Sequence, residues 1–149
     1  KALEKLVGTR NHEQMVKVPK ETRPANFVVE GKLVLGGRFL QEMGDFDDKG
    51  KPTNTGMYTY DSNRKTYRRW FFLSGGFYTE GTGTWDESRQ TLTFTNRLPG
   101  GVTGTLTLRF SDETTFSHSI IVRDAGGKIS YHQEGKSVRQ KYTLGSGER

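Results

Sequence analysis

The chain contains no cysteine, and that absence removes thiolate catalysis, iron–sulfur clusters and cysteine-based zinc sites together. It leaves the redox compartment open, because such a chain folds equally in reducing and oxidising surroundings. Long apolar runs are missing too. The longest is Trp70-Phe71-Phe72-Leu73, far short of the roughly 20 residues a membrane helix requires, so no membrane span is expected. The only histidines are His12, His118 and His132, and none stands in a His-x-His or His-Glu-x-x-His arrangement. No metal site and no cofactor is expected from such a set.

What is present begins with length. The 149 residues suffice to bury about two-thirds of the unfolded surface around one core, so a single domain over residues 1–149 is expected. Lys and Arg number 23 against 17 Asp and Glu, giving a formal charge of +6 and a pI near 9.6. That excess favours weak attraction to anionic surfaces. The cations are interspersed with acids, however, which describes a solvated surface rather than a phosphate track. Even the densest stretch, Arg64 to Phe72, divides its cations between two strand faces, Arg68 with Trp70 and Phe72, Arg69 with Tyr67 and Phe71. Nucleic acid is therefore not the expected partner.

Hydrophobic periodicity sets the fold class. Leu3, Leu6 and Val7 share one face of a short helix that Gly8 stops; beyond it the period is two. Phe27, Val29, Leu33 and Leu35 fall in one phase before Gly36-Gly37. Later, Leu92, Phe94, Asn96 and Leu98 alternate with threonines and Arg97, and Leu106, Leu108 and Phe110 with Thr105, Thr107 and Arg109. Phe116, His118, Ile120 and Val122 continue the pattern, followed by Ile129, Tyr131 and Gln133. Turn signals such as Asp47-Asp48-Lys49-Gly50, Ser74-Gly75-Gly76 and Asp124-Ala125-Gly126-Gly127 leave strand-length intervals and no room for crossover helices. Consecutive strands must then be antiparallel neighbours. About ten of them predict an all-β, up-and-down barrel closed on itself, with a two-sheet sandwich as the alternative.

Several short stretches carry a resemblance. Leu6-Val7-Gly8-Thr9, Leu35-Gly36-Gly37-Arg38-Phe39-Leu40, Gly56-Met57-Tyr58-Thr59-Tyr60-Asp61, Lys65-Thr66-Tyr67 with Trp70, and Gly83-Thr84-Trp85-Asp86 follow one another in an order that resembles a bacterial family of uncharacterised domains with a lipocalin-like, or calycin-like, barrel. The resemblance implies about ten antiparallel strands around an internal cavity closed at one end. It implies no activity and no catalytic residues. Lipocalin-like chains place a Trp after the first strand's Gly, where it plugs the closed end, and this chain has Arg10 there. Either Trp85 or Trp70 fills the base instead, or Arg10 lies flat across it. Relatives implied by the resemblance often carry leaders and the sequence begins at Lys1, so export is the expected direction, with the cytoplasm as the alternative.

Alternation also nominates the residues that line the interior: Phe39, Gln41, Met43, Trp70, Phe94, Asn96, Phe116, His118, Tyr131 and Gln133. Trp70 is conditional, because its strand is apolar in both phases, and if Phe71 faces inward then Trp70 faces out. Polar members of this set need partners, since an unpaired buried amide costs about 1 to 3 kcal/mol. They predict a shared network, bound water or a ligand group. For His118 a hydrogen-bonded core histidine is the first reading, a ligand contact the second and a haem or metal ligand the third, whereas His132 is expected outside. Glu13, Glu42 and Glu80 read as exposed, and no nucleophile stands beside a base. The expected function is binding of a small, largely apolar molecule; the alternatives are a homodimerising or protein-docking module using the Trp70 to Phe77 aromatics, and an enzyme with His118 as acid or base.

Overall fold

The computed structural model describes residues 2–141. A 3-10 turn at Leu3–Leu6 leads into ten strands: β1 (Gly8–Val18), β2 (Glu21–Val34), β3 (Phe39–Phe46), β4 (Pro52–Asp61), β5 (Thr66–Leu73), β6 (Tyr78–Asp86), β7 (Thr91–Arg97), β8 (Thr103–Phe110), β9 (Thr115–Arg123) and β10 (Ile129–Arg139). Each strand pairs antiparallel with its neighbour in sequence, and β1 closes the ring on β10. Closure leaves no sheet edge to template aggregation. No helix of the described residues is long and apolar enough to cross a membrane.

One end of the barrel is shut by the 3-10 turn. Leu3 and Leu6 pack there on Leu40, Tyr58, Leu92, Phe94, Leu106, Leu108, Phe110 and Phe116, with Trp85, Tyr67, Val7 and Ile120 around them. Each such side chain, fully buried, contributes about 1.5 to 3 kcal/mol. Gly31 permits the closure, since a Cβ there would collide with the Leu6 carbonyl oxygen. Arg10, 1% exposed, takes the place of a plug: its guanidinium lies 4.9 Å from the centre of the Phe116 ring and donates to the carbonyls of Thr114, at 3.0 Å, and Lys5. Trp85 is the tryptophan that helps fill this base.

Two expectations are corrected by the register. Residues directly opposite in an antiparallel pair share a face, and inward-facing Leu33 stands opposite Leu40, which in turn stands opposite Tyr58. The inner positions of β3 are therefore Leu40, Glu42 and Gly44; Phe39, Gln41 and Met43 lie on the outer wall, opposite Val34, Lys32 and Glu30. The turn that fixes this register, Leu35 to Arg38, has Leu35, Gly36 and Gly37 all at positive φ. Trp70 likewise faces outward, opposite Met57 and Glu80, with the Arg68 guanidinium 5.2 Å from its ring, while Tyr67, Arg69 and Phe71 point in. The other six lining residues, Phe94, Asn96, Phe116, His118, Tyr131 and Gln133, occupy inner positions.

Candidate functional site

One hydrogen-bonded row of inner positions runs round the wall from Leu33 through Leu40, Tyr58, Arg69, Gly81, Asn96, Gly104 and Val122 to Tyr131. Burial changes along the barrel axis. Towards the 3-10 turn most inner side chains are buried, Leu33 at the β2–β3 turn being exposed and Tyr67 half-buried, whereas Phe71, Thr79, Leu98, Ile120, Val122 and Tyr131, nearer the other end, are all half-buried. Solvent thus reaches the inner wall at that end, and Arg69, Asn96, Gln133 and His118 are buried polar residues at inner positions below it.

Three inner groups form a chain. Arg69 Nε donates to the Tyr58 hydroxyl at 3.1 Å, and that hydroxyl donates to Glu42 Oε2 at 2.9 Å. Glu42 is expected on the surface from the sequence; the register instead turns it inward, half-buried, between two glycines, Gly31 and Gly56, its cross-strand neighbours. The Tyr58 ring leans over Gly56, where a Cβ would come within 3.1 Å of it. Burial pushes the Glu42 pKa up, only partly opposed by the Tyr58 hydrogen bond and the charges of Arg69 and Arg10. Burial also raises Tyr58, which stays a neutral donor. The Arg69 guanidinium is held between rings, 5.5 Å from Tyr58 and 4.7 Å from Phe71.

A second cluster joins β1, β2, β9 and β10. His12 stacks on Phe27 at 4.9 Å and sits 5.2 Å from His118, and its Nε2 is 3.2 Å from the Ser137 hydroxyl. Burial is the main cause that lowers His12 to about 3, with His118 and Arg10 adding to it; burial alone lowers His118 to about 4. Both imidazoles are neutral at physiological pH. Nearby, Tyr131 donates to Gln133 at 2.6 Å, and Gln133 donates to Gln14. Among the described residues no third His, Asp or Glu joins the two histidines in a metal-binding group. His132 lies outside, 3.6 Å from Glu134.

Two buried polar atoms in this part of the wall have no partner among the described residues: Asn96 Oδ1 and His118 Nε2. Asn96 is 8% exposed and His118 6%. Asn96 leans across Gly81, where any Cβ would land on its amide oxygen, as Phe94 leans across Gly83. These glycines make room for large inner neighbours. Clefts of about 430 Å³, lined by Leu3, Phe39, Tyr60 and Tyr67, and about 550 Å³, lined by Arg89, Arg109, Ser117 and Lys136, indent the molecule elsewhere and hold none of these polar groups.

Alternation in sequence found Asn96, His118, Tyr131 and Gln133. It missed His12, Gln14, Glu42, Tyr58 and Arg69. On β1 the stretch Arg10 to Gln14 is polar in both phases, so nothing in it reveals which phase turns inward. Arg69 did carry a signal, its shared face with Tyr67 and Phe71.

No curated protein matches the chain. Solved structures with the same fold include the S-type phycobiliprotein lyase CPES from Guillardia theta, with a TM-score of 0.69 at 11% identity over 95% of this chain and 92% of that one. Rv2717c from M. tuberculosis superposes with a TM-score of 0.67 at 18% identity, over 94% of this chain and 96% of its own. A DUF3598-family protein from Nostoc punctiforme, of unknown function, follows at 0.55 and 9% identity, with 93% of this chain matched to 49% of that one. At such identities the shared property is the lipocalin-like barrel itself. Residues 1–121, from the 3-10 turn into β9, match the family described as a protein of unknown function, DUF1579, and the chain belongs to that family.

Proposed function

We propose that the barrel binds a small, largely apolar organic molecule, which enters at the end opposite the 3-10 turn and sets a hydrogen-bonding group against Asn96 and His118. The observation that carries this reading is the pair of buried, unpartnered atoms, Asn96 Oδ1 and His118 Nε2, at inner positions of a barrel whose inner side chains become half-buried towards one end. Burying each without a partner costs about 1 to 3 kcal/mol, a cost a bound ligand group removes. Phe94, Phe116, Tyr131 and Gln133 are the remaining wall of the site in this reading, apolar below and polar near the mouth. Amides and neutral imidazoles orient a ligand without demanding that it carry charge.

Thermal shift and native mass spectrometry of the purified protein against lipid, flavonoid and haem panels test the proposal. A binder should raise the melting temperature of the wild type more than that of His118→Leu. No stabilisation by any member of the panel would overturn it.

A second reading is favoured by one observation. Phe72, Leu73, Phe77 and Tyr78 are all exposed at the β5–β6 hairpin, with Phe72 and Tyr78 stacked at 6.2 Å. Such a cluster suits association of two copies of the chain. Light scattering across a concentration series that shows a monomer throughout would dismiss it. An enzymatic role for His118 narrows to that of a base: held neutral, it lacks the proton a general acid needs, and among the described residues no carboxylate hydrogen-bonds to it.

A further inference from the structure

The Arg69–Tyr58–Glu42 chain has an unused end. Arg69 is 8% exposed and fixed by two aromatic rings, and its Nε is committed to Tyr58. Its two terminal amino groups have no hydrogen-bond partner among the described residues, which leaves the two-pronged edge of a guanidinium open at the inner wall of the barrel. The next inner position on the same row is Gly81, and beyond it stands Asn96 with its unpartnered amide oxygen. Because Gly81 carries no side chain, the Asn96 amide leans across it, on the side of Arg69, and the two unsatisfied groups share one part of the inner wall. The fork of Arg69 fits a planar pair of acceptor oxygens, and half a turn of the Asn96 amide presents its NH2 to the same group.

We propose that Arg69 anchors the carboxylate of the ligand and that Glu42, held as a carboxylate in the empty barrel by Tyr58, Arg69 and Arg10, takes up one proton from solvent as this anion binds. The first part rests on the binding reading above, and it names the chemistry of the ligand's polar end. The second follows from placement. The charged and titratable groups acting on Glu42 are Arg10 of β1, Tyr58 of β4 and Arg69 of β5; its neighbours on β2 and β4 are Gly31 and Gly56, which carry no side chain. A ligand carboxylate on Arg69 adds a negative charge beside a second, desolvated carboxylate that shares the same cation through Tyr58. Two like charges so placed do not both stay ionised in a low-dielectric interior. Glu42 becomes the neutral acid, its carbonyl oxygen still accepts from Tyr58, and the charge of the interior is unchanged: one anion and one proton enter together.

Titration calorimetry with octanoate and with 1-octanol, in phosphate and in Tris at the same pH, separates the parts. Octanoate should bind the wild type roughly tenfold or more tightly than octanol, as expected for charge-assisted hydrogen bonds. The octanoate heat should differ between the buffers in the direction of proton uptake. Arg69→Leu should bring the two probes to equal affinity, and Arg69→Lys, which keeps the charge and loses the fork, should fall between. Glu42→Gln should remove the buffer dependence and strengthen octanoate binding at pH 8. Urea midpoints check that each variant is folded. Octanol binding as tightly as octanoate overturns the anchor and leaves the binding reading standing; failure of both probes to bind the wild type overturns both. Equal heats in the two buffers, or a buffer dependence that persists in Glu42→Gln, overturns the proton uptake alone.

Discussion

Lowering the pH should loosen this barrel well before its surface carboxylates are protonated, because two buried histidines are held neutral. An imidazole whose pKa is lower in the folded chain than in the unfolded one binds fewer protons when folded. Its contribution to stability is complete above the ordinary value of 6.5 and is lost as pH falls towards the folded value, which is about 3 for His12 and about 4 for His118. Within that window each histidine costs about 1.4 kcal/mol per pH unit. At pH 5 the pair therefore removes about 4 kcal/mol, a large share of the roughly 5 to 15 kcal/mol that holds a domain together. Glu42 works in the opposite direction: its raised pKa makes the folded state lose stability as pH rises above the ordinary carboxylate value.

Urea unfolding between pH 7.5 and 5 measures the slope directly. His118→Leu should flatten it by one histidine's share, about 1.4 kcal/mol per pH unit, and Glu42→Gln, which deletes the opposing contribution, should steepen it. Proton NMR supplies the independent check, since the ring protons of His12 and His118 should not titrate above pH 5. Resonances from either ring that titrate near 6.5, or a slope unchanged in His118→Leu, would refute the reasoning.

Other substitutions test the remaining contacts. Gly81→Ala sets a methyl group on the Asn96 amide oxygen and 2.6 Å from the Thr95 carbonyl, so it should destabilise by about 1 to 3 kcal/mol, whereas Gly75→Ala, with nothing within 4 Å, should be nearly silent in thermal melts. Arg10→Lys keeps the charge of the plug but loses its planar fork on the carbonyls of Thr114 and Lys5; an unfolding free energy in urea lower by about 1 to 3 kcal/mol is expected, and wild-type stability would disprove the flat-plug account. Trp70→Ser alters the outer wall only and should leave octanoate and octanol affinities unchanged by calorimetry. Asn96→Leu with His118→Leu removes both unpartnered atoms; denaturation at pH 7.5 should show a barrel at least as stable as the wild type, and titration should show weaker octanol binding. A loss of stability there would mean those atoms are paired after all.

The barrel itself was legible because its later strands keep threonine or arginine on one face and apolar residues on the other. Leu92 to Leu98 and Leu106 to Phe110 leave no doubt about phase, and the turn signals between strands exclude crossover helices. The interior was legible only where that contrast exists. On β3 both phases mix apolar and polar residues, Phe39-Gln41-Met43 against Leu40-Glu42-Gly44, and the larger apolar residues belong to the wrong one. What decides is the pairing of Leu33 with Leu40, a consequence of the Leu35 to Arg38 turn that local periodicity does not contain. The Glu42–Tyr58–Arg69 chain was hidden with it, since its three members come from three strands whose relative register is a tertiary fact.

The two ends of the barrel treat polar groups differently, and the difference separates holding the fold from using it. At the closed end the guanidinium of Arg10 is committed to the backbone carbonyls of Thr114 and Lys5, and Arg139 also donates to Lys5 at 3.0 Å, so cations substitute for the aromatic plug and tie the 3-10 turn to the barrel wall. Among the described residues their Nε atoms have no partner, but each guanidinium spreads its charge over groups that are bonded. Further up the wall the balance reverses. Arg69 commits only Nε, and the unpartnered atoms of Asn96 and His118 are the ones through which those side chains would pair. A leucine at 96 or 118 would avoid that cost in the unliganded barrel. Polar side chains at such positions, kept rigid by glycine gaps and aromatic neighbours, are arranged for a partner that the chain itself does not supply.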